Sequence, residues 1–191
     1  MNISRSLILS LVVLAGFGYG TEYQVNKTRS NVVKFISDAP IEQVEGITDQ
    51  IDGYIVWQGD NPTENSEFYF EVNLNAVDTG IGLRNRHMRD NYLETDKYRY
   101  AKYAGQVVEY HIGSEDSIFN VIADGKINIH GIEQPLIIEG VSEKSNDQYH
   151  FQCAFKVKLQ DHDIKVPQLM FMKISDTIQI ELDFYLKKIQ E

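Results

Sequence analysis

The chain has 191 residues, with 18 Lys+Arg against 28 Asp+Glu and a formal charge of −10 at pH 7. That length suits one domain, or one domain behind an export signal. The acidic balance argues against nucleic acid, because phosphate neutralisation needs clustered cations, and against adhesion to anionic lipid through net charge.

Residues 1–20 read as a signal peptide. Arg5 is the only charge, Leu7 to Ala15 is almost continuously apolar, and Gly18-Tyr19-Gly20 puts small residues at the cleavage point. The run is shorter than the roughly 20 residues of a spanning helix. Cleavage near Gly20 removes one arginine and no acid, which takes the formal charge from −10 to −11. The expectation is an exported protein, periplasmic or secreted, with no stable membrane insertion and one domain over 21–191. Cys153 is the only cysteine, so no intramolecular disulfide forms.

The mature chain is written in strand code. Tyr23 to Phe35 holds a first strand, ended by Ala39-Pro40. Ile41 to Gly46 is ambiguous. Gln50 to Trp57 alternates, with Ile51, Gly53, Ile55 and Trp57 on one face. In Ser66 to Asn75, Phe68, Phe70, Val72 and Leu74 oppose Glu67, Tyr69, Glu71 and Asn73, the period of two of a sheet with one wet face. Gly82 to Leu93 alone looks helical, and either Asp78 or Thr79 could cap it. It carries Arg84, Arg86, His87 and Arg89.

Tyr98 to Tyr110 is a tyrosine-rich strand containing Ala101, Tyr103 and Gly105. Val121, Ala123, Gly125, Ile127 and Ile129 share one face of the next. Gly131 to Pro135 reads as a turn into Leu136–Glu143. Two regular strands close the chain. One places Phe151, Cys153 and Phe155 on a single face, and the other Ile180, Leu182 and Phe184. The Asp161 to Met172 segment between them reads as a loop. Long strands joined by tight turns suit an eight-stranded antiparallel barrel with one short helix, since closure removes exposed edges. A sandwich is the alternative.

Several stretches together resemble the YceI-like family of exported lipid- or polyisoprenoid-binding proteins. They are Ser30–Phe35, Val44-Glu45-Gly46, Ile51-Asp52-Gly53, the basic Arg84-Asn85-Arg86-His87-Met88-Arg89-Asp90, Leu93–Tyr103, Asp124–Pro135 and Asp163–Pro167. The resemblance covers the whole mature chain. Tyr98-Arg99 and His162-Asp163 depart from the family's usual Tyr-Pro and aromatic-Gly. The resemblance implies an all-β, lipocalin-like barrel around an apolar tunnel, and a family without a shared catalytic constellation.

The apolar strand faces permit two readings. One is a packed core, the default for such faces. The other is a tunnel, for which the small Gly53, Ala101, Ala123, Gly125 and Cys153 would leave room. The resemblance favours the tunnel, lined by Phe68, Phe70, Val72, Ala101, Tyr103, Val121, Ile127, Phe151, Phe155, Ile180, Leu182 and Phe184. It would hold a polyisoprenoid, an isoprenoid quinone or a fatty acyl chain, bound non-covalently for carriage or sequestration. Burying about ten methylenes contributes on the order of 8 kcal/mol before association costs. Arg84 or His87 could meet a polar head group at the mouth, since arginine forks suit phosphate and carboxylate. The alternative is that these arginines pair with surface acids.

Asp161-His162-Asp163 reads as a solvated loop, because three adjacent residues rarely converge on one ion. His111, His130 and His150 show no metal-ligand spacing. Cys153, between phenylalanines, reads as a buried inert thiol. No nucleophile elbow, phosphate loop or catalytic carboxylate pair is present, so neither an enzyme nor a cofactor is expected. The alternative function is a filled barrel acting by protein contact in the envelope or in stress. The oligomeric state, homodimer included, stays open at this stage.

Overall fold

In the computed structural model, the described residues are 20–38, 43–59, 61–169, 172–173 and 175–189. The expected signal peptide lies outside them except for Gly20. Strands β1 (Thr21–Val25), β2 (Val32–Ser37), β3 (Val44–Thr48), β4 (Ile51–Trp57) and β5 (Glu67–Asn73) come first. A helix follows: α1 (Gly82–His87) runs directly into a π-helical segment, Met88–Leu93. Then come β6 (Tyr100–Ile112), β7 (Ile118–Ile129), β8 (Ile132–Ser145), β9 (Gln148–Lys158), the two-residue β10 (Gln168–Leu169) and β11 (Met172–Lys173), and β12 (Thr177–Lys188).

The spatial order β1-β4-β5-β6-β7-β8-β9-β12 closes because β12 also pairs with β1, and every pairing is antiparallel. β2 continues β1 along the same edge of β12, and β3 pairs with β2 beyond the end of β4. The barrel therefore has eight strand positions, two of them filled by broken strands. The first break is fixed by two buried asparagines. Thr28 N–H donates to Asn26 Oδ1, Asn31 Nδ2 donates to the Asn26 carbonyl, and Tyr185 N–H donates to Asn31 Oδ1 at 2.9 Å. The side chains supply the partners that the interrupted ladder cannot.

Three expectations need correction. Pro135 is not in a turn: the β7–β8 turn is only His130-Gly131, and Pro135 lies opposite Lys126 in the ladder. β8 pairs with β9 only over Gly140–Ser145, so Pro135 sits where the far edge of β8 needs no N–H. Neither Asp78 nor Thr79 caps the helix; Ile81 stands at the N-cap with no side-chain bond. Thr79 instead donates its N–H and hydroxyl to Asn85 Oδ1 at 2.8 and 2.6 Å. Finally, the glycines are not there to leave room. Gly53 has φ +141°, and a Cβ there would overlap the Tyr69 carbonyl. Gly105 and Gly125 face each other across β6 and β7, where a Cβ would strike the opposite backbone. These glycines permit close approach and bending.

A β-bulge in β6 between Val107 and Glu109 changes which residues point inward. Ala101, Tyr103 and Val107 face the interior before it, and Tyr110 does so after it. A cluster of buried residues, Tyr23, Val25, Ile51, Trp57, Tyr149, Phe184 and Leu186, gathers towards one end of the barrel. The Tyr23 and Trp57 rings stack there, and the Tyr149 ring meets both edge-on. The helix lies towards the other end, between the last residue of β5 and the first of β6.

Candidate functional site: the barrel interior

The interior holds a cavity of about 690 Å³, within the roughly 300–1,000 Å³ typical of small-molecule sites. Period-two alternation makes its wall. All twelve residues of the expected tunnel line it, from Phe68, Phe70 and Val72 on β5 to Ile180, Leu182 and Phe184 on β12. Phe70, Val72, Phe151, Phe155, Ile180 and Leu182 are only half-buried. They point inward, so their residual exposure is to the cavity. In a filled barrel, neighbouring side chains would cover these faces, because packed interiors leave few voids larger than a water.

Further wall residues lay outside the expected set. Val33 and Phe35 come from β2, Ile138 from β8, and Ile81, Leu83, Met88, Tyr92 and Leu93 from the helical segment. The alternation of Val33 and Phe35 carried that signal. The helical contribution had none, since it depends on how the segment folds over the barrel.

The few polar groups at the wall are mostly satisfied. The Tyr103 hydroxyl lies 3.0 Å from the Ala123 carbonyl oxygen and 2.9 Å from that of Leu136. Burial, with Asp124 nearby, pushes its ionisation far above the usual tyrosine range. The Cys153 thiol lines the cavity and burial pushes it up to about 12, so it stays protonated and unreactive at neutral pH. Ser37 differs: its buried hydroxyl at the wall has no hydrogen-bond partner among the described residues.

His162 corrects the solvated-loop reading. It is 2% exposed and lines the cavity. It sits at the end of a 3₁₀ turn, Leu159–His162, and its Nδ1 lies 3.1 Å from the Ile132 carbonyl oxygen. His130 Nδ1 in turn lies 3.2 Å from the His162 carbonyl. The β7–β8 turn thus draws the imidazole in, while Asp161 and Asp163 stay exposed. Among the described residues, no group of three or more His, Cys, Asp or Glu could hold a metal ion.

Arg84 and His87 both line the mouth. Arg84 is anchored by its own loop: Nε donates to Thr79 Oγ1 at 2.9 Å and Nη2 to the Thr79 carbonyl at 2.6 Å. The guanidinium retains donors beyond these two. Among the described residues, no ion pair forms between Arg84, Arg86 or Arg89 and a carboxylate. Ile81 and Leu83 line the cavity yet are 51% and 61% exposed, so the cavity meets solvent beside them.

Residues 23–186 match the YceI-like domain family. Solved structures share the fold. BcnA of Burkholderia cenocepacia superposes with a TM-score of 0.68 at 13% identity, covering 84% of this chain and 98% of its own. A polyisoprenoid binding domain from Saccharophagus degradans, implicated in plant cell wall breakdown, gives 0.67 at 19% identity, with 87% and 98% covered. The YCEI protein of Campylobacter jejuni gives 0.58 at 17% identity, with 79% and 88% covered. No curated protein sequence matches.

Proposed function

The chain belongs to the YceI-like family, and we propose that its barrel carries or sequesters one long-chain apolar amphiphile. A polyisoprenoid, an isoprenoid quinone and a fatty acyl chain all fit this chemistry. The observation that carries the reading is the half-buried inward face of β5, β9 and β12 around a cavity of about 690 Å³. The polyisoprenoid binding domain of the same fold supports it. An apolar chain gains about 0.8 kcal/mol per methylene buried, so affinity needs no polar anchor. The Tyr23, Trp57 and Tyr149 rings narrow one end, while Ile81 and Leu83 are exposed beside the cavity at the helix end, so we place entry there. We place the mature protein, residues 21–191, outside the cytoplasm after signal cleavage.

Mass spectrometry of lipids extracted from the native purified protein tests the reading. A stoichiometric apolar ligand is expected. Protein that is repeatedly empty, and that fails to take up an apolar dye such as N-phenylnaphthylamine, overturns it in favour of an interaction module.

A further inference from the structure

We infer that the helical rim around the cavity mouth is a docking face for an anionic lipid bilayer, a surface on which cargo is exchanged. The inference rests on the carrier reading and adds the partner. Its ground is a juxtaposition at the mouth. Ile81 and Leu83 are large aliphatic residues more than half exposed, on the lip of an apolar cavity. Beside them stand Arg84, Arg86, His87 and Arg89, with no carboxylate ion-paired to an arginine among the described residues.

Residues 81–93 carry three arginines against one acid, Asp90. The nearest acid before them, Asp78, is occupied: it accepts hydrogen bonds from Asn85 Nδ2 at 2.7 Å and from the Gly80 N–H at 2.8 Å. Asp78 also lies near enough to Arg89 for each to offset part of the other's charge, so Arg86, exposed on the rim, is the freest cation.

A basic helix edge with exposed aliphatics matches a headgroup layer over acyl chains. A bilayer suits this mouth better than an acidic protein does. It offers negative charge and hydrocarbon together, so an apolar chain can pass from membrane to barrel without crossing water. The net charge of the whole chain, −10, opposes adhesion through bulk charge, so attraction has to come from a local basic edge such as this one. Contact is therefore oriented, weak and reversible. No described helix is long and apolar enough to cross a membrane.

Flotation of the full mature chain with vesicles tests this. Phosphatidylcholine vesicles are compared with vesicles containing about 30% phosphatidylglycerol, at low and high salt. Dye uptake is measured separately without vesicles. The expected result is binding to the anionic vesicles only, weakened by salt, with uptake unchanged in Arg86→Gln and Arg86→Glu. Arg86→Gln should weaken vesicle binding about fivefold and Arg86→Glu about 30-fold. Leu83→Ser should also weaken it, even at low salt. No selectivity for anionic vesicles, or wild-type binding by Arg86→Glu, overturns the docking face and leaves a protein as its occupant. Failure of the wild type to take up dye is instead a failure of the carrier reading, which vesicle binding does not affect.

Discussion

The rings of Tyr23 and Trp57 stack with centroids 4.9 Å apart and planes within 1° of parallel. Tyr23 belongs to the first strand and Trp57 to β4, paired over Thr21–Gln24. The stack, with Tyr149 edge-on, narrows one end of a barrel whose other end is hollow. Trp57→Ala should therefore cost about 3–5 kcal/mol of stability, read as a lower urea midpoint. Trp57 also lines the cavity and is the only tryptophan. Its fluorescence should shift when an apolar ligand enters, and an unchanged spectrum on saturation would place the ligand elsewhere.

Ala101 tests whether the interior is hollow. It points inward from β6, opposite Val72, and lines the cavity. Growth of its side chain enters open space, so Ala101→Phe should change stability by less than about 1 kcal/mol while displacing ligand. In a filled barrel the same substitution would overpack, at about 1–3 kcal/mol. Thermal unfolding and dye uptake measured on one sample separate the two cases.

What was legible in the sequence was periodic. Phe68, Phe70 and Val72, or Ile180, Leu182 and Phe184, declare an inward face because strand side chains alternate. What was not legible depended on partners distant in the chain. His162 lies between two aspartates and reads as wet; only the β7–β8 turn, through the Ile132 carbonyl, buries it. Pro135 reads as a turn because its tolerance depends on which edge of β8 is left free. Gly53 and Gly125 read as spare room, when the space a Cβ would need is filled by neighbouring backbone. The bulge after Val107 has no composition signal, so Tyr110 could not be assigned to the interior.

The glycines make a paired prediction. Gly53→Ala introduces both a clash with the Tyr69 carbonyl and a φ of +141° unsuited to a side chain, at about 1–3 kcal/mol. Gly82→Ala, in the first turn of the helix, meets no atom within 4 Å. It should stabilise the chain by about 0.5 kcal/mol through helix propensity. Urea midpoints that move the same way in both variants would contradict this account.

Alkaline stability draws on buried groups that hold their protons in the fold, Tyr103 and Tyr110 among them. Burial pushes Tyr23 and Tyr69 from 10.0 to about 12, and Cys153 from 9.0 to about 12. For Tyr69 the hydrogen bond it donates to Glu71, at 2.7 Å, adds to the effect. In each case the folded chain holds its proton more tightly than the unfolded chain. Their contribution is thus fully present below about pH 9 and is lost as pH rises towards about 12. Denaturant midpoints should be flat from about pH 7 to 9 and then fall. Tyrosinate absorbance should grow with unfolding; full ionisation of a still-folded chain at about pH 10 would refute the shifts.

The mouth residues Arg84 and His87 decide whether the cargo's polar end is read there. Two oxygens of Thr79, the hydroxyl and the carbonyl, accept from the Arg84 guanidinium, which fixes its position and leaves the rest of the fork for a ligand. A charge-assisted hydrogen bond contributes about 1.5–3 kcal/mol. Replacing both residues by alanine should therefore weaken dodecyl phosphate roughly 10- to 150-fold and leave dodecanol nearly unchanged, as measured by displacement of N-phenylnaphthylamine. The apolar wall is the same for both ligands, so a shared loss would mean that the variant disturbed the loop at Thr79. Equal affinity of wild type and variant for the phosphate would move the head group away from the helical rim.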